Sequence, residues 1–153
     1  MIDKIEGMDC LVSGINNQYI FRGKKRESLN YYYGSFIQFP DGTGAIVSGE
    51  GISKLKCNIV DVETVGQCVG KYDKNKRLMF VGDIVQFYNG STGKKNERSP
   101  IEFIAHIGFC FKEPNSRGDF GYNVFKGIWS GEGNNGYGNY PVNELVEVVS
   151  AIY

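Results

Sequence analysis

Residues 63–87 read ETVGQCVGKYDKNKRLMFVGDIVQF, and this stretch decides the fold class. Its centre, Lys71 to Arg77, is polar and has the composition of a turn. A short apolar run precedes the turn, and a second run, 78–81, follows it. Gly82 then separates this second run from a third one that ends at Phe87. Three β-compatible runs divided by a polar turn and a glycine predict a β-meander.

The composition extends this prediction to the whole chain. Its 153 residues include 21 glycines, 10 tyrosines and 10 phenylalanines but only 4 prolines, which is typical of short strands joined by tight turns. No long apolar stripe with a period of 3.6 residues is present, so little helix is expected. We predict an N-terminal extension over 1–18, an N-terminal β-meander subdomain over 19–70 and a second β subdomain over 71–153, packed against each other.

Other local patterns predict the remaining strands and loops. Pro40-Asp41-Gly42 is turn chemistry and predicts a hairpin. Alternating apolar residues from Ile101 to Phe111 predict one strand with a possible bend at Gly108. Residues 88–100 and 130–139 are polar or glycine-rich and are interpreted as loops. The final apolar run, 145–149, allows either one helical turn or a short strand.

Charge and cysteine usage exclude several classes of protein. Seventeen basic residues balance seventeen acidic ones, which argues against a dedicated polyanion-binding protein. No window approaches a membrane span, and the first 18 residues lack the apolar core of a signal peptide. The four cysteines are scattered without a close pair, so a zinc site is not expected. These features predict a cytoplasmic protein with reduced thiols, no membrane contact, no metal and no cofactor.

The motifs that could indicate catalysis lack the context they need. Residues 131–136 spell G-x-G-x-x-G, but the residues after them cannot begin the helix that a dinucleotide site requires. Residues 90–95 lack the first glycine and the hydroxyl of a phosphate loop. His106, the single histidine, has no nucleophile motif beside it, and Asp61, Glu63 and Asp83 are interpreted as turn-capping carboxylates. The sequence therefore predicts that the protein is not an enzyme.

Three segments together resemble the YopX family of phages and prophages of Gram-positive bacteria. They are residues 60–67 (VDVETVGQ), the turn Asp73-Lys74-Asn75, and residues 80–85 (FVGDIV). The family pattern runs V-D-P-E-T-V-G-Q, then a D-K-N-G turn, then G-D-I-V. Weaker similarity extends the match over about residues 19 to 147. Val62 stands in place of the family proline, and Lys76 in place of the turn glycine, so the turn is expected to form without a positive φ at residue 76.

The resemblance implies an all-β fold with an SH3-like barrel in the second subdomain and a protein that self-associates. It implies no established activity, so it assigns no functional residues to this chain. The first hypothesis is a non-enzymatic phage or prophage accessory protein that acts through self-association and contact with an unknown host or phage protein.

The second hypothesis is a nucleic-acid-binding module. From Lys71 to Arg98 the chain has seven basic and three acidic residues, and residues 22–26 add four more basic ones. If the two segments met in space, their cations and nearby tyrosines could hold single-stranded nucleic acid by phosphate contact and stacking. The alternative is that they are solvated loop tips, which the neutral net charge favours, or the basic side of a head-to-tail contact between subunits. The candidate surface consists of Arg22, Lys24, Lys25, Arg26, Lys71, Tyr72, Lys74, Lys76, Arg77, Lys94 and Lys95.

Overall fold

The computed structural model describes residues 19–89, 92–114, 120–125, 128–133 and 136–152. The predicted extension over 1–18 lies outside this described part. Within it the chain is mainly β, as predicted, and the helical segments Ile52–Lys54, Val62–Thr64 and Val142–Leu145 are 3-10 turns. The strands are β1 (Phe21–Lys24), β2 (Tyr31–Gln38), β3 (Gly44–Gly49), β4 (Leu55–Val60), β5 (Gly66–Tyr72), β6 (Leu78–Phe80), β7 (Asp83–Tyr88), β8 (Lys95–Pro100), β9 (Glu102–Ile104), β10 (Gly108–Pro114), β11 (Phe120–Val124), β12 (Ile128–Gly133), β13 (Gly136–Pro141) and β14 (Val146–Ala151).

The chain divides between Gly70 and Lys71 into two compact units. In the first unit, antiparallel strands lie in the order β4-β3-β2-β1-β5. One face of this sheet carries the core, in which the rings of Phe21 and Phe36 lie 5.9 Å apart and Ile46 and Val60 are buried. Gly23 belongs to the same face, and a Cβ there would press on Val60 at 3.1 Å. The other face is not uniformly exposed, because Arg22 and Ala45 on it are also buried.

The second unit contains three separate antiparallel sheets among its described strands. Their orders are β14-β7-β8, β11-β10-β9 and β12-β13. The core of this unit is aromatic: Phe111 lies 5.5 Å from Phe87 and 5.3 Å from Phe125, ring centroid to ring centroid. Val85 and Val146 of the β14-β7-β8 sheet are also buried. The SH3-like barrel that the resemblance implies is not closed by these pairings.

The predicted β-meander over 63–87 is only partly right, because β6 lies beside β5 but β7 belongs to another sheet. Three further local predictions are wrong in detail. The alternating run from Ile101 to Phe111 is not one strand, because the chain reverses at 105–107 and β9 pairs back on β10. Gly108, with φ 101°, follows that reversal, which brings the rings of Phe103 and Phe109 together at 5.1 Å. The apolar alternation therefore belongs to two strands of a hairpin, and Phe103 is exposed.

The two predicted polar loops also contain strands. Residues 95–100 form β8, and residues 128–141 contain the paired strands β12 and β13. Both carry few apolar side chains, so hydropathy gives no strand signal, and the backbone pairing with a neighbouring strand determines their structure. The final apolar run contains both of the alternatives left open, a 3-10 turn followed by β14.

Candidate interaction surfaces

The first candidate surface is the outer face of the first unit's sheet at its β4 end. Pairing places Ile37, Ala45 and Ile59 in one row across β2, β3 and β4, and places Val47 beside Cys57 in the next row. Ile59 is 72% exposed, and Ile37, Leu55 and Cys57 are also exposed. We call Ile37, Leu55, Cys57 and Ile59 the β4 edge surface.

The strand β4 is also an edge strand. Among the described strands it pairs only with β3, so alternate N–H and C=O groups on its other side face away from the sheet. An open edge next to exposed apolar side chains is a ready site for pairing with another chain. Lys56 is the one charged residue within the strand, which gives little electrostatic protection against such pairing.

The connection before β4 brings two backbone segments close together. Gly49 ends β3 with φ 151°, and a Cβ on it would lie 2.3 Å from the backbone oxygen of Lys54. Only glycine fits such a close approach of two backbone segments. Across the same connection, the Lys54 ammonium and a Glu50 carboxylate oxygen form an exposed ion pair at 2.9 Å.

The predicted basic segment of the first unit is only partly a surface. Arg22 is buried at 3% exposure, and its guanidinium carbon lies 4.6 Å from the centre of the Tyr31 ring. Lys24 is half-buried, with its ammonium 4.9 Å from the same ring. Lys25 and Arg26 are exposed in the turn that follows β1. Of the four cations predicted here, two are therefore engaged by an aromatic ring of their own sheet.

The second candidate surface lies in the second unit and begins with Asp73. This carboxylate is 2% exposed; Oδ1 accepts hydrogen bonds from the N–H groups of Asn75 and Arg77, both at 2.8 Å. Its other oxygen accepts from the N–H of Val148 at 3.0 Å. The Lys74 N–H donates to the Val146 carbonyl at 3.0 Å. Asp73 thus holds the turn closed and attaches it to β14.

Lys76 takes φ 66° within this turn, so the expectation of a turn without positive φ at this position is wrong. The Lys76 N–H donates to the Asp73 carbonyl, and the Asp73 N–H to the Arg77 carbonyl. These bonds require the left-handed conformation whichever side chain residue 76 carries. Such a conformation costs a residue with a Cβ about 1–2 kcal/mol.

The turn brings cations onto an aromatic ring. The Lys74 ammonium lies 3.5 Å from the centre of the Tyr88 ring and the Lys95 ammonium 5.7 Å from it. The Tyr88 hydroxyl donates to a Glu147 carboxylate oxygen at 2.6 Å, and that oxygen lies 3.5 Å from the Lys74 ammonium. We call Lys74, Tyr88, Lys95 and Glu147 the Tyr88 cluster. The hydrogen bond from Tyr88, and to a lesser extent the charge of Lys74, lowers the pKa of Glu147 below its usual value.

Between Lys71 and Arg98 the exposed surface is more positive than the count of basic and acidic residues in the sequence indicates. Of the three acidic residues between Lys71 and Arg98, Asp73 and Asp83 are buried and bind backbone N–H groups of the chain. Only Glu97 is exposed. Tyr72 is 44% exposed, and its carbonyl accepts a hydrogen bond from the Asn143 side chain at 2.9 Å. The exposed basic residues between Lys71 and Arg98 are Lys71, Lys74, Lys76, Arg77, Lys94, Lys95 and Arg98.

The structure places the residues weighed for catalysis in turns and at the start of a strand. His106 is exposed in the turn between β9 and β10. Asp61 caps the 3-10 turn Val62–Thr64 through the Glu63 N–H at 3.2 Å, and Asp83 accepts from the Phe80 N–H at 2.9 Å. Among the described residues, no group of three or more His, Cys, Asp or Glu side chains could hold a metal ion. In that same part of the chain no helix is long and apolar enough to cross a membrane.

Comparisons of the chain with protein-family models, with curated proteins and with solved structures found no match.

Proposed function

We propose that this protein is a non-catalytic phage or prophage accessory protein of the YopX type that acts through self-association and contact with other proteins. The observation that supports this function is the β4 edge surface, where an open strand edge adjoins exposed Leu55, Cys57 and Ile59. Burying large apolar side chains stabilises a complex, by about 1.5–3 kcal/mol for each one fully buried. A single strand edge is a small interface, so we expect association in the micromolar range.

Light scattering over a protein concentration series tests this proposal. The parent protein is expected to form a dimer as concentration rises, and Ile59→Asp to stay monomeric because it places a charge in the apolar row. Leu29→Asp is the matched control: Leu29 is 89% exposed in the same unit but outside the β4 edge surface. This control should associate like the parent. A parent protein that stays monomeric at the highest concentration contradicts the proposed function.

A second function, binding of single-stranded nucleic acid, is supported by the burial of Asp73 and Asp83 beside exposed lysines. Exposed lysines can contact phosphates, and Tyr72 offers an exposed ring on which a base can stack. The first unit contributes less, because its Arg22 is buried against Tyr31.

Binding of labelled single-stranded and double-stranded DNA and RNA across a salt series tests the second function. Phosphate contact predicts a steep fall in affinity with salt, and removing two contacting lysines reduces that slope by about 1.4 on single strands. We expect this reduction for Lys76→Gln/Lys94→Gln, and less for Lys25→Gln/Arg26→Gln, which removes the same charge from the first unit. Affinity that is absent, or that does not change with salt, rejects this function.

A further inference from the structure

The open edge of β4 fits a second copy of the same strand. We propose that two chains pair through β4, antiparallel, about a twofold axis that passes beside Cys57. The proposal rests on the self-association proposed above, and it specifies the strand that pairs, the register of the pairing and the residue at the twofold axis. It joins two sheets of order β4-β3-β2-β1-β5 edge to edge into one continuous sheet.

The side-chain pattern of β4 selects the register. Successive residues of a strand point to opposite faces, so Leu55, Cys57 and Ile59 share the outer face. In antiparallel pairing, residues directly opposite each other lie on the same face of the sheet. The apolar row formed by Leu55, Cys57 and Ile59 of one chain therefore meets the same row of the other chain only if outer-face residues stand opposite outer-face residues. The intervening registers put Leu55 and Ile59 of the two chains on different sides and leave both rows exposed.

An axis beside any residue from Leu55 to Ile59 keeps the apolar rows together. The axes beside Leu55, Lys56 and Ile59 pair at most three residues of the strand, whereas those beside Cys57 and Asn58 pair five, and charge separates the registers further. An axis beside Lys56 places two lysines directly opposite each other, which is destabilising. An axis beside Asn58 places Leu55 opposite the carboxylate of the partner's Asp61. The axis beside Cys57 places Leu55 opposite the partner's Ile59, at both ends of the pairing. It also places Lys56 opposite the partner's Asn58, so no like charges meet within the strands.

The same register brings two cysteines together at the axis. Directly opposite residues of antiparallel strands have Cα atoms about 4.5–5.5 Å apart. Cys57 is exposed and unpaired in the single chain, so its thiol is accessible. Cys68 and Cys110 are buried, and burial raises the pKa of the Cys110 thiol, with a further contribution from the nearby Glu102 carboxylate. Thiol reagents should therefore react at Cys57 before they react at either buried cysteine.

Thiol cross-linking tests the register. The parent for the experiment is Cys10→Ser, which removes the cysteine of the first eighteen residues. A short bis-maleimide adds one thiol to each of its two double bonds, so no oxidant is needed. We expect a covalent dimer joined at Cys57, identified by peptide mass spectrometry, and none in Cys10→Ser/Cys57→Ser. The yield should fall when the protein is diluted below its dissociation constant.

A matched pair of charge variants tests the register without cysteine chemistry. Asn58 stands opposite the partner's Lys56 in the proposed pairing. Asn58→Glu creates two opposite-charge pairs per dimer, and Asn58→Lys creates two like-charge pairs. The dissociation constant of the glutamate variant should be roughly tenfold below that of the lysine variant. Both substitutions alter the same side chain, so a general cost of changing Asn58 affects both.

The outcomes separate this inference from the proposed function. A dimer cross-linked at Cys57, with the glutamate variant tighter, supports the register. A dimer seen by light scattering without a Cys57 cross-link overturns the register but leaves self-association standing. A protein that remains monomeric overturns both.

Discussion

Replacing Asp73 with asparagine tests how the lysine-bearing turn is held. The Asp73 carboxylate accepts three backbone N–H bonds, from Asn75 and Arg77 at 2.8 Å and from Val148 at 3.0 Å. An asparagine keeps one acceptor oxygen, which can serve the two N–H groups of the turn. Its amide nitrogen then faces the Val148 N–H, and two donors cannot bond each other.

The magnitude follows from burial. Val148 is 7% exposed, so water cannot replace the lost partner, and an unsatisfied buried donor costs about 1–3 kcal/mol. The two remaining bonds change from charged to neutral acceptors, which are roughly half as strong. We expect Asp73→Asn to lower the free energy of unfolding by about 3 kcal/mol. For a chain of this size that corresponds to a fall in Tm of roughly 6–12 °C.

Asp41→Asn is the matched control. Asp41 also accepts a backbone N–H in a hairpin turn, from Thr43 at 2.9 Å, but it is exposed and water can replace the bond. We expect its cost to be under about 1 kcal/mol. Urea unfolding followed by far-UV circular dichroism measures both variants. Equal costs for the two substitutions would show that the third bond, to Val148, does not attach the turn to β14.

Substitutions at three other sites have expected outcomes of their own. Tyr88→Phe should raise the pKa of Glu147 toward its usual value in an NMR titration, because the lowered pKa depends first on the hydrogen bond from the Tyr88 hydroxyl. The stabilisation that this hydrogen bond gives is present above the pKa of Glu147 in the unfolded chain and is lost as pH falls through its pKa in the folded protein. An unchanged pKa refutes this cause. Lys76→Gly should stabilise the protein by up to about 1 kcal/mol in urea unfolding, since it removes the strain of φ 66° at the expense of some chain entropy, whereas a loss of stability argues against that strain. Gly49→Ala should destabilise it by about 2 kcal/mol or more, because the new methyl group meets the Lys54 carbonyl oxygen; a neutral effect would mean that the connection shifts freely.

The sequence predicts the structure best where turn chemistry and apolar alternation agree. The hairpin at Pro40-Asp41-Gly42 forms as predicted between β2 and β3, with Gly42 at φ 87° and the Asp41 side chain bonded to Thr43. The sequence predicts β8, β12 and β13 least well. Their polar or glycine-rich sequences carry no strand pattern, and their structure depends on backbone hydrogen bonds within hairpins, β8 with β7 and β12 with β13.

The candidate surfaces show the same division. The sequence singles out Lys74, Lys95 and Arg22 as cations, but residue type does not reveal that Arg22 is buried against Tyr31 or that Lys74 and Lys95 share the Tyr88 ring. The sequence does not identify the β4 edge surface. Leu55, Cys57 and Ile59 alternate with other residues in the sequence, but alternation alone does not show which face of a strand is covered.

The sequence by itself determines that this protein is mainly β, because glycine-rich turns and period-two alternation depend only on neighbouring residues. Tertiary structure decides which strand ends a sheet, which apolar row stays exposed and which acidic residues are buried. Those properties depend on partners far along the chain, as when the Asp73 carboxylate binds the N–H of Val148, and no local pattern records them.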